Sequence, residues 1–382
     1  MNADMAHHQR IGRLTPLADV LAAIAGIVPV PPREVALAQA RDCVLASDVI
    51  ADRDLPPCPV ALRDGWAVDS ESTRDAGPYA PLTLQPPPQR VDAFATLPPR
   101  SDAVAPLDAV TALGGMMQMM APVAPGESVL PAGGDIGAMT ILRAAGARLR
   151  ATDLAMLAIA GHRKVSIRKP CIRVVNTRPG DTILNSAAAL VRRLVETTGG
   201  AAEVSRDLDG DLDRDLDRDL DDALTHDGAD AIIGIGGTGE GRHDKAVVAL
   251  ARAGRVICHG IGLAPGETAA FGIVNHRPVL LLPGRIDAAL ASWLVLGRRL
   301  LDRLSGAHDD DIAVPLVLAR KIASSVGIAE VIPLRRDADK AEPLASGFLP
   351  LQALVRADGW LLVPAESEGY PAGATIAMRP LP

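Results

Sequence analysis

The chain has 382 residues, 48% of them hydrophobic, enough for two to four domains of ordinary size with several cores. Only eight residues are aromatic, too few for a stacking platform that holds single-stranded nucleic acid. Lys and Arg number 39 against 46 Asp and Glu, and the net charge of −7 has the wrong sign for a generic phosphate-backbone binder. The cysteines Cys43, Cys58, Cys171 and Cys258 lie far apart, so a disulfide framework is not expected and a reducing, cytoplasmic setting fits. The opening residues show no signal-peptide pattern. The longest uncharged run, 109–126, holds three Gly and two Pro and falls short of the roughly 20 apolar residues of a membrane span.

A first helix is predicted over 15–27, with Thr15 as N-cap, Pro16 at the first position, and Leu17, Val20, Leu21 and Ile24 on one face. A second is predicted through Val35–Cys43. A Pro-rich passage from Asp54 then leads to Arg63-Asp-Gly-Trp-Ala-Val-Asp69. Residues 69–139 are short apolar stretches broken by Pro and Gly, the pattern of a small β module. Within it, Met116–Met120 reads as adaptable core filler rather than a metal site.

From Cys171 onward the pattern alternates. Cys171–Asn176, Ala229–Ile235, Arg255–His259 and Val279–Leu282 read as strands; Leu184–Thr198, Asp244–Ala253 and 286–303 read as helices. This predicts an α/β domain over 171–310 with a mainly parallel sheet. Residues 311–382 read as short strands and turns, a β-barrel-like C-terminal domain. The tandem repeat over 206–222 carries three Arg against nine Asp, a charge of −6, so the rest of the chain is nearly neutral. Its leucines recur every four residues, as on one face of a surface helix; its glycine spacing does not match an EF-hand loop.

Three glycine-rich turns follow strand ends of the α/β domain: Asn176–Asp181, Gly236–Gly241 and Pro283-Gly284-Arg285. In open α/β sheets the ligand crevice lies beyond the carboxyl ends of the strands. Glycine lets backbone amides approach an anion, and a helix start adds partial positive charge. Together the turns suggest a phosphate-bearing ligand; each alone is also an ordinary tight turn. Asp64, Asp135, Asp181 and Asp244 adjoin glycines or helix starts. They suit either N-caps and turns or, if they converge, Mg2+. The eight histidines show no zinc spacing, and no GxSxG or nucleophile–base pattern occurs.

These residues resemble the molybdopterin molybdenumtransferases, the family of MoeA and the gephyrin E domain. The family pattern "LAEDV-A-DLPPF-SAMDGYAV" is similar to Leu45–Val49 followed by Asp54–Val68, with Asp64 in the DG pair. "LP-GADAVV" resembles Leu97–Val104, and "GEDI--G" resembles Gly134-Asp135-Ile-Gly137. "LA--G" resembles Leu157–Gly161, and "SGGVSVGDYD" resembles Gly236–Asp244. "KPGKP--FG" resembles Ala264–Gly272, "LPGNP" resembles Leu282–Ile286, and "GSG-L" resembles Ala345–Leu349. The motifs run in order through nearly the whole chain.

The resemblance implies a homodimer of four-domain subunits: 1–68 with 140–170 as an elongated, discontinuous N-terminal domain, 69–139 as an inserted β module, 171–310 as the α/β molybdopterin-binding domain, and 311–382 as the closing barrel. It implies insertion of molybdate into adenylated molybdopterin, with Mg2+ and release of AMP. Asp64, Asp135 and Asp244 stand in catalytic positions, with Asp181 and Asp244 as metal ligands. Thr177, Gly180, Asp181, Gly236, Gly237, Thr238, Gly241, Pro265, Gly266, Pro283, Gly284, Arg285 and Ser346 stand at ligand-binding positions. Nucleic acid and membrane are not expected partners; a molybdoenzyme or another cofactor-biosynthesis protein is.

The departures fall on the chemistry. Usual lysines become Ala264, Glu267 and Gly260, and Glu267 reverses charge beside an anionic ligand. Arg285 and Ile286 replace the Asn and Pro of PGNP, and the serines of SGGVSVG become Thr238 and Glu240. Arg178, Arg242 and Arg285 are the candidates to restore positive charge. A noncatalytic paralogue that binds or delivers molybdenum cofactor is the alternative reading, and another nucleotide-like substrate a third. Trp66, Phe271 and Phe348 fall in the family-like segments and are expected to pack the walls of the site.

Overall fold

The computed structural model describes residues 9–178, 180–204, 216–308 and 313–382. The chain falls into two compact units. One comprises residues up to 47, 145–154 and 164–382; the other comprises 48–144 and 155–163.

The first unit is built around a six-stranded sheet in the order Ala201–Val204, Cys171–Asn176, Ala231–Ile235, Arg277–Leu282, Ala270–Val274, Arg255–His259. The first four strands are mutually parallel. Ala270–Val274 is antiparallel to both of its neighbours, so five of the six strands share one direction. The central Ala231–Ile235 is buried along its whole length, as a parallel strand covered on both faces must be. Gly234 is required there because a Cβ would lie 2.6 Å from a Leu281 methyl.

The helix Thr182–Thr197 buries Leu184, Ala187, Val191, Leu194 and Val195 on one stripe. It is capped by the Asp181 carboxylate and ends before Gly199, whose φ of +84° places a Cβ against the Asp42 carbonyl. On the other face, Leu220 and Leu224 of the acidic helix Leu216–Thr225 are buried with Val247 and Leu250 of the helix Ala246–Ala253. Residues 206–215 of the predicted acidic-repeat helix lie outside the described residues. The last helical run of the α/β domain is Ile286–Ser292, a π turn over Trp293–Gly297, then Arg298–Ser305. Gly297 makes room for the Trp293 ring, which would lie 2.4 Å from a Cβ.

The C-terminal part of this unit is a closed five-stranded barrel. Ala329–Asp337 pairs with Lys340–Pro343, and the ring continues through Val314–Leu318, Thr375–Pro380 and Gly359–Val363 back to Ala329–Asp337. Leu263–Ala264 joins the start of Ala329–Asp337 in parallel. A short helix, Leu351–Arg356, interrupts the expected run of strands.

The second unit is small β sheets. Gly65–Val68 lies between Gln89–Val91 and Ala103–Ala105, and Val60–Ala61 pairs with Val129–Leu130. These pairings place residues 48–68 in one unit with the β module. Met119 is fully buried while Met116, in the same strand, is exposed.

Local predictions fail in several further places. The helix expected over Val35–Cys43 is a strand, Arg33–Ala36, followed by a single 3-10 turn, Leu37–Gln39. Pairing with Lys164–Arg168, far along the chain, overrides the local pattern. The first helix begins at Leu17 with Pro16 at its cap, and no side chain caps it. Strand Ala270–Val274 was not foreseen; flanking strands supply the hydrogen bonds that define it.

Candidate functional site

At the carboxyl ends of the parallel strands the first unit holds a cavity of about 390 Å3. It is lined by Thr177, Arg178, Leu220, Gly237, His243, Lys245 and Ala246. Thr177 follows the strand Cys171–Asn176; its amide and hydroxyl both bond the Ile235 carbonyl, at 3.1 and 3.0 Å. This draws the first turn against the second. Gly236 and Gly237 have φ of +91° and +66°, and a Cβ on either would press on the Thr177 hydroxyl. Gly284, after the strand Arg277–Leu282, packs against Gly236, and a Cβ there would lie 2.5 Å from a Leu184 methyl. The glycines therefore bring three turns to one point.

Around this floor the predicted residues take different roles. Asp181 accepts the amides of Ile183 and Leu184 at 2.9 and 3.2 Å as an N-cap. Gly180 has φ of +88° with open space around it. Asp244 precedes its helix and closes a turn by accepting the Gly241 amide at 3.0 Å; its other oxygen is 3.8 Å from Arg178. Thr238 is buried, its hydroxyl 3.0 Å from that of Thr268 and its carbonyl bonded by His259 Nε2. Asp64 and Asp135 belong to the second unit. Asp64 is exposed and accepts the Ala93 amide at 2.8 Å; Asp135 is exposed, its amide donating to the Leu55 carbonyl.

A second group lies where the α/β sheet runs into the barrel. Pro265 and Gly266 are buried after a cis Ala264–Pro265 bond, and the Gly266 amide donates to the carboxylate of its neighbour Glu267. Pro283 is buried. Arg285 bonds the buried Asp287 at 3.1 and 2.5 Å, which holds its guanidinium above the usual range; burial opposes this, and the charges of Asp287 and Glu267 add to it. Phe348 is 60% exposed and does not pack a wall; it lies beneath Arg285. Phe271 is fully buried and Trp66 half-buried. Ser346 donates its hydroxyl to Glu330, a buried carboxylate that also receives the Gly347 amide and the Ser324 hydroxyl.

One expectation changes. The sequence suggested that glycine-rich turns would bring backbone amides to an anion and that the helix starts after them would add partial positive charge. Asp181 occupies two amides of the helix Thr182–Thr197. On the helix Ala246–Ala253, the Ala246 amide bonds the Gly237 carbonyl and the Val247 amide bonds Gln9 Oε1. Positive charge at the cavity therefore comes from the side chains of Arg178 and Lys245, with the His243 imidazole beside them in the lining. Of these, His243 reads from sequence as a structural histidine but lines the cavity, while Lys245 was not singled out and neither was Gln9. The RHDK run, following a glycine-rich turn after a buried strand, was the available signal for Lys245.

Among the described residues no three His, Cys, Asp or Glu side chains cluster as a metal-binding group. Mg2+ commonly needs only one or two carboxylates, with water and phosphate completing its shell. Asp181 and Asp244 each commit one carboxylate oxygen to backbone amides, and the second oxygen of Asp244 faces Arg178. No helix among the described residues is long and apolar enough to cross a membrane.

Residues 15–161 match the family model "MoeA N-terminal region (domain I and II)", and 175–303 match "Probable molybdopterin binding domain". A Methanocaldococcus jannaschii protein named for molybdopterin biosynthesis is 25% identical over 374 residues, 90% of this chain and 91% of its own. Molybdopterin molybdenumtransferase 2 of Mycobacterium tuberculosis is 27% identical over 313 residues, 73% of this chain and 76% of its own. Two structures of a Pyrococcus horikoshii molybdopterin biosynthesis MoeA protein share the fold. Their TM-scores are 0.76 and 0.75 at 24% and 22% identity, over 96% and 97% of this chain and 99% and 100% of theirs.

Proposed function

The chain belongs to the MoeA family, and on that premise we propose that it is a molybdopterin molybdenumtransferase. It inserts molybdate into the dithiolene of adenylated molybdopterin and releases AMP. The observation that carries this reading is the cavity at the carboxyl strand ends. Thr177 and Gly237 form its floor, Arg178 and Lys245 bring positive charge to it, and His243 lines it beside them. A phosphate-bearing pterin fits that chemistry: glycine lets the ligand approach the backbone, and the cations meet its negative charge.

Arg178 and Lys245 bind and orient the phosphates, and Thr177 supplies a hydroxyl beside them. Asp181 and Asp244 are the carboxylates that would hold Mg2+; when bound, the ion would neutralise phosphate charge. The working unit in this reading is a homodimer, whose mass in solution checks it. A molybdoenzyme or another cofactor-biosynthesis protein is the partner that receives the product.

The test gives the purified protein adenylated molybdopterin, molybdate and Mg2+ and follows AMP. Turnover dependent on molybdate is the expected result. Tight pterin binding with no AMP release overturns the enzyme reading and leaves a cofactor carrier.

A further inference from the structure

We propose that Gln9 is a positioning residue for the anion cavity, a strap from the N-terminal segment that holds the glycine-rich turn 236–241 and the helix behind it in one shape. The proposal rests on the functional reading of that cavity given above.

Gln9 is a polar residue with only 7% of its surface exposed. Its amide group is used at both ends. Nε2 donates to the Gly237 carbonyl at 2.8 Å and to the Gly239 carbonyl at 2.5 Å, while Oε1 accepts the Val247 amide at 3.2 Å. Two residues on, the Ile11 amide donates to the Glu240 carboxylate at 2.7 Å. The turn is therefore gripped at Gly237, Gly239 and Glu240, and the helix Ala246–Ala253 at its first turn.

The grip matters because the turn is otherwise pliable. Gly236 and Gly237 carry no side chain and sit at positive φ, and Gly239 and Gly241 are equally free of a Cβ. Such a segment samples many conformations unless its carbonyls are held. Gly237 lines the cavity, as do Lys245 and Ala246 beyond the turn. The Gly237 carbonyl accepts both Gln9 and the Ala246 amide, so one atom joins the strap, the cavity floor and the helix start. By filling the Val247 amide, Gln9 also leaves anion recognition to the neighbouring cationic side chains. Gln9 does not touch the ligand in this account; it sets the geometry of groups that do.

The experiment compares the full-length protein with Gln9→Ala and Gln9→Met, the latter keeping side-chain bulk while removing every hydrogen bond. Amide hydrogen exchange reads residues 237–247, pterin fluorescence reads the Kd for adenylated molybdopterin, and AMP release gives KM and kcat. Both variants are expected to exchange faster at Val247 and in the turn, by about tenfold for the loss of a buried hydrogen bond. Both should also weaken pterin binding several-fold while kcat is largely kept. Unchanged exchange in the turn overturns the strap. Faster exchange with unchanged Kd and KM overturns the positioning role and leaves a structural cap. No pterin binding by the unmodified protein also overturns it, since no ligand is then positioned. Absence of AMP release with the expected exchange and Kd changes leaves the strap standing and sinks the transferase reading instead.

Discussion

The guanidinium of Arg285 lies 4.9 Å from the centroid of the Phe348 ring, stacked over its face. The same guanidinium bonds Asp287, whose Oδ2 also accepts the Leu349 amide at 3.3 Å. Two segments far apart in sequence, the turn after a sheet strand and a loop of the barrel, are thus tied through one buried carboxylate.

Asp287→Ala is expected to destabilise the fold by about 1–3 kcal/mol, the cost of leaving a buried amide and a partly exposed guanidinium unpaired. Denaturant titration measures it. A loss below about 0.5 kcal/mol would mean that Asp287 does not hold the two segments.

Glu267 now caps the Gly266 amide beside Arg285. Glu267→Lys removes a negative charge and adds a positive one near that loop. Affinity for an anionic ligand should rise by about tenfold at low salt and less as salt screens the charge. Equal affinity across a salt series would count against any ligand role at 264–267.

Asp181 has two separable duties. Asp181→Ala removes the N-cap and should cost about 1 kcal/mol; Asp181→Asn keeps a capping oxygen and should cost far less. If Asp181 also holds Mg2+, the Asn variant should need more Mg2+ for AMP release despite its near-normal stability. A normal Mg2+ requirement in that variant limits Asp181 to capping.

Gly284→Ala places a methyl within 2.5 Å of Leu184 and 3.4 Å of the Gly236 Cα. The floor of the cavity must shift, at a cost of about 1–3 kcal/mol. Thermal unfolding and pterin binding should both register it; an unchanged pair of values would show that the three turns are not packed as described.

Burial pushes the thiols of Cys258 and Cys43 up, so each carries less thiolate than an exposed cysteine at the same pH. An alkylating reagent at pH 8 should label the half-buried Cys58 first and these two only on unfolding. Early labelling of Cys258 would argue that its strand, at the sheet edge, opens readily.

Much of this protein was readable in its sequence because the signals are local. Buried strands such as Ala231–Ile235 announce themselves as unbroken apolar runs, and glycine marks the turns that follow them. Those turns stand together in the fold because parallel strands end on the same side of a sheet. The α/β pattern and the barrel-like end, together with motifs running in order through the chain, pointed to the MoeA family.

Tertiary structure decided what each polar group does. Asp181 and Asp244 are identical in type, yet one caps a helix and the other closes a turn. Gln9 looks like any polar residue near a chain end, but folding carries it to the Gly237 carbonyl, 228 positions away. Strand Arg33–Ala36 reads locally as helix until Lys164–Arg168 pairs with it. Ser346 and Phe348 lie in one short motif, yet the first turns inward to Glu330 and the second outward beneath Arg285. Hydrophobic periodicity depends on near neighbours in the chain and survives reading in one dimension. Hydrogen-bond partners and charge pairs depend on distance in space, which only the folded chain sets.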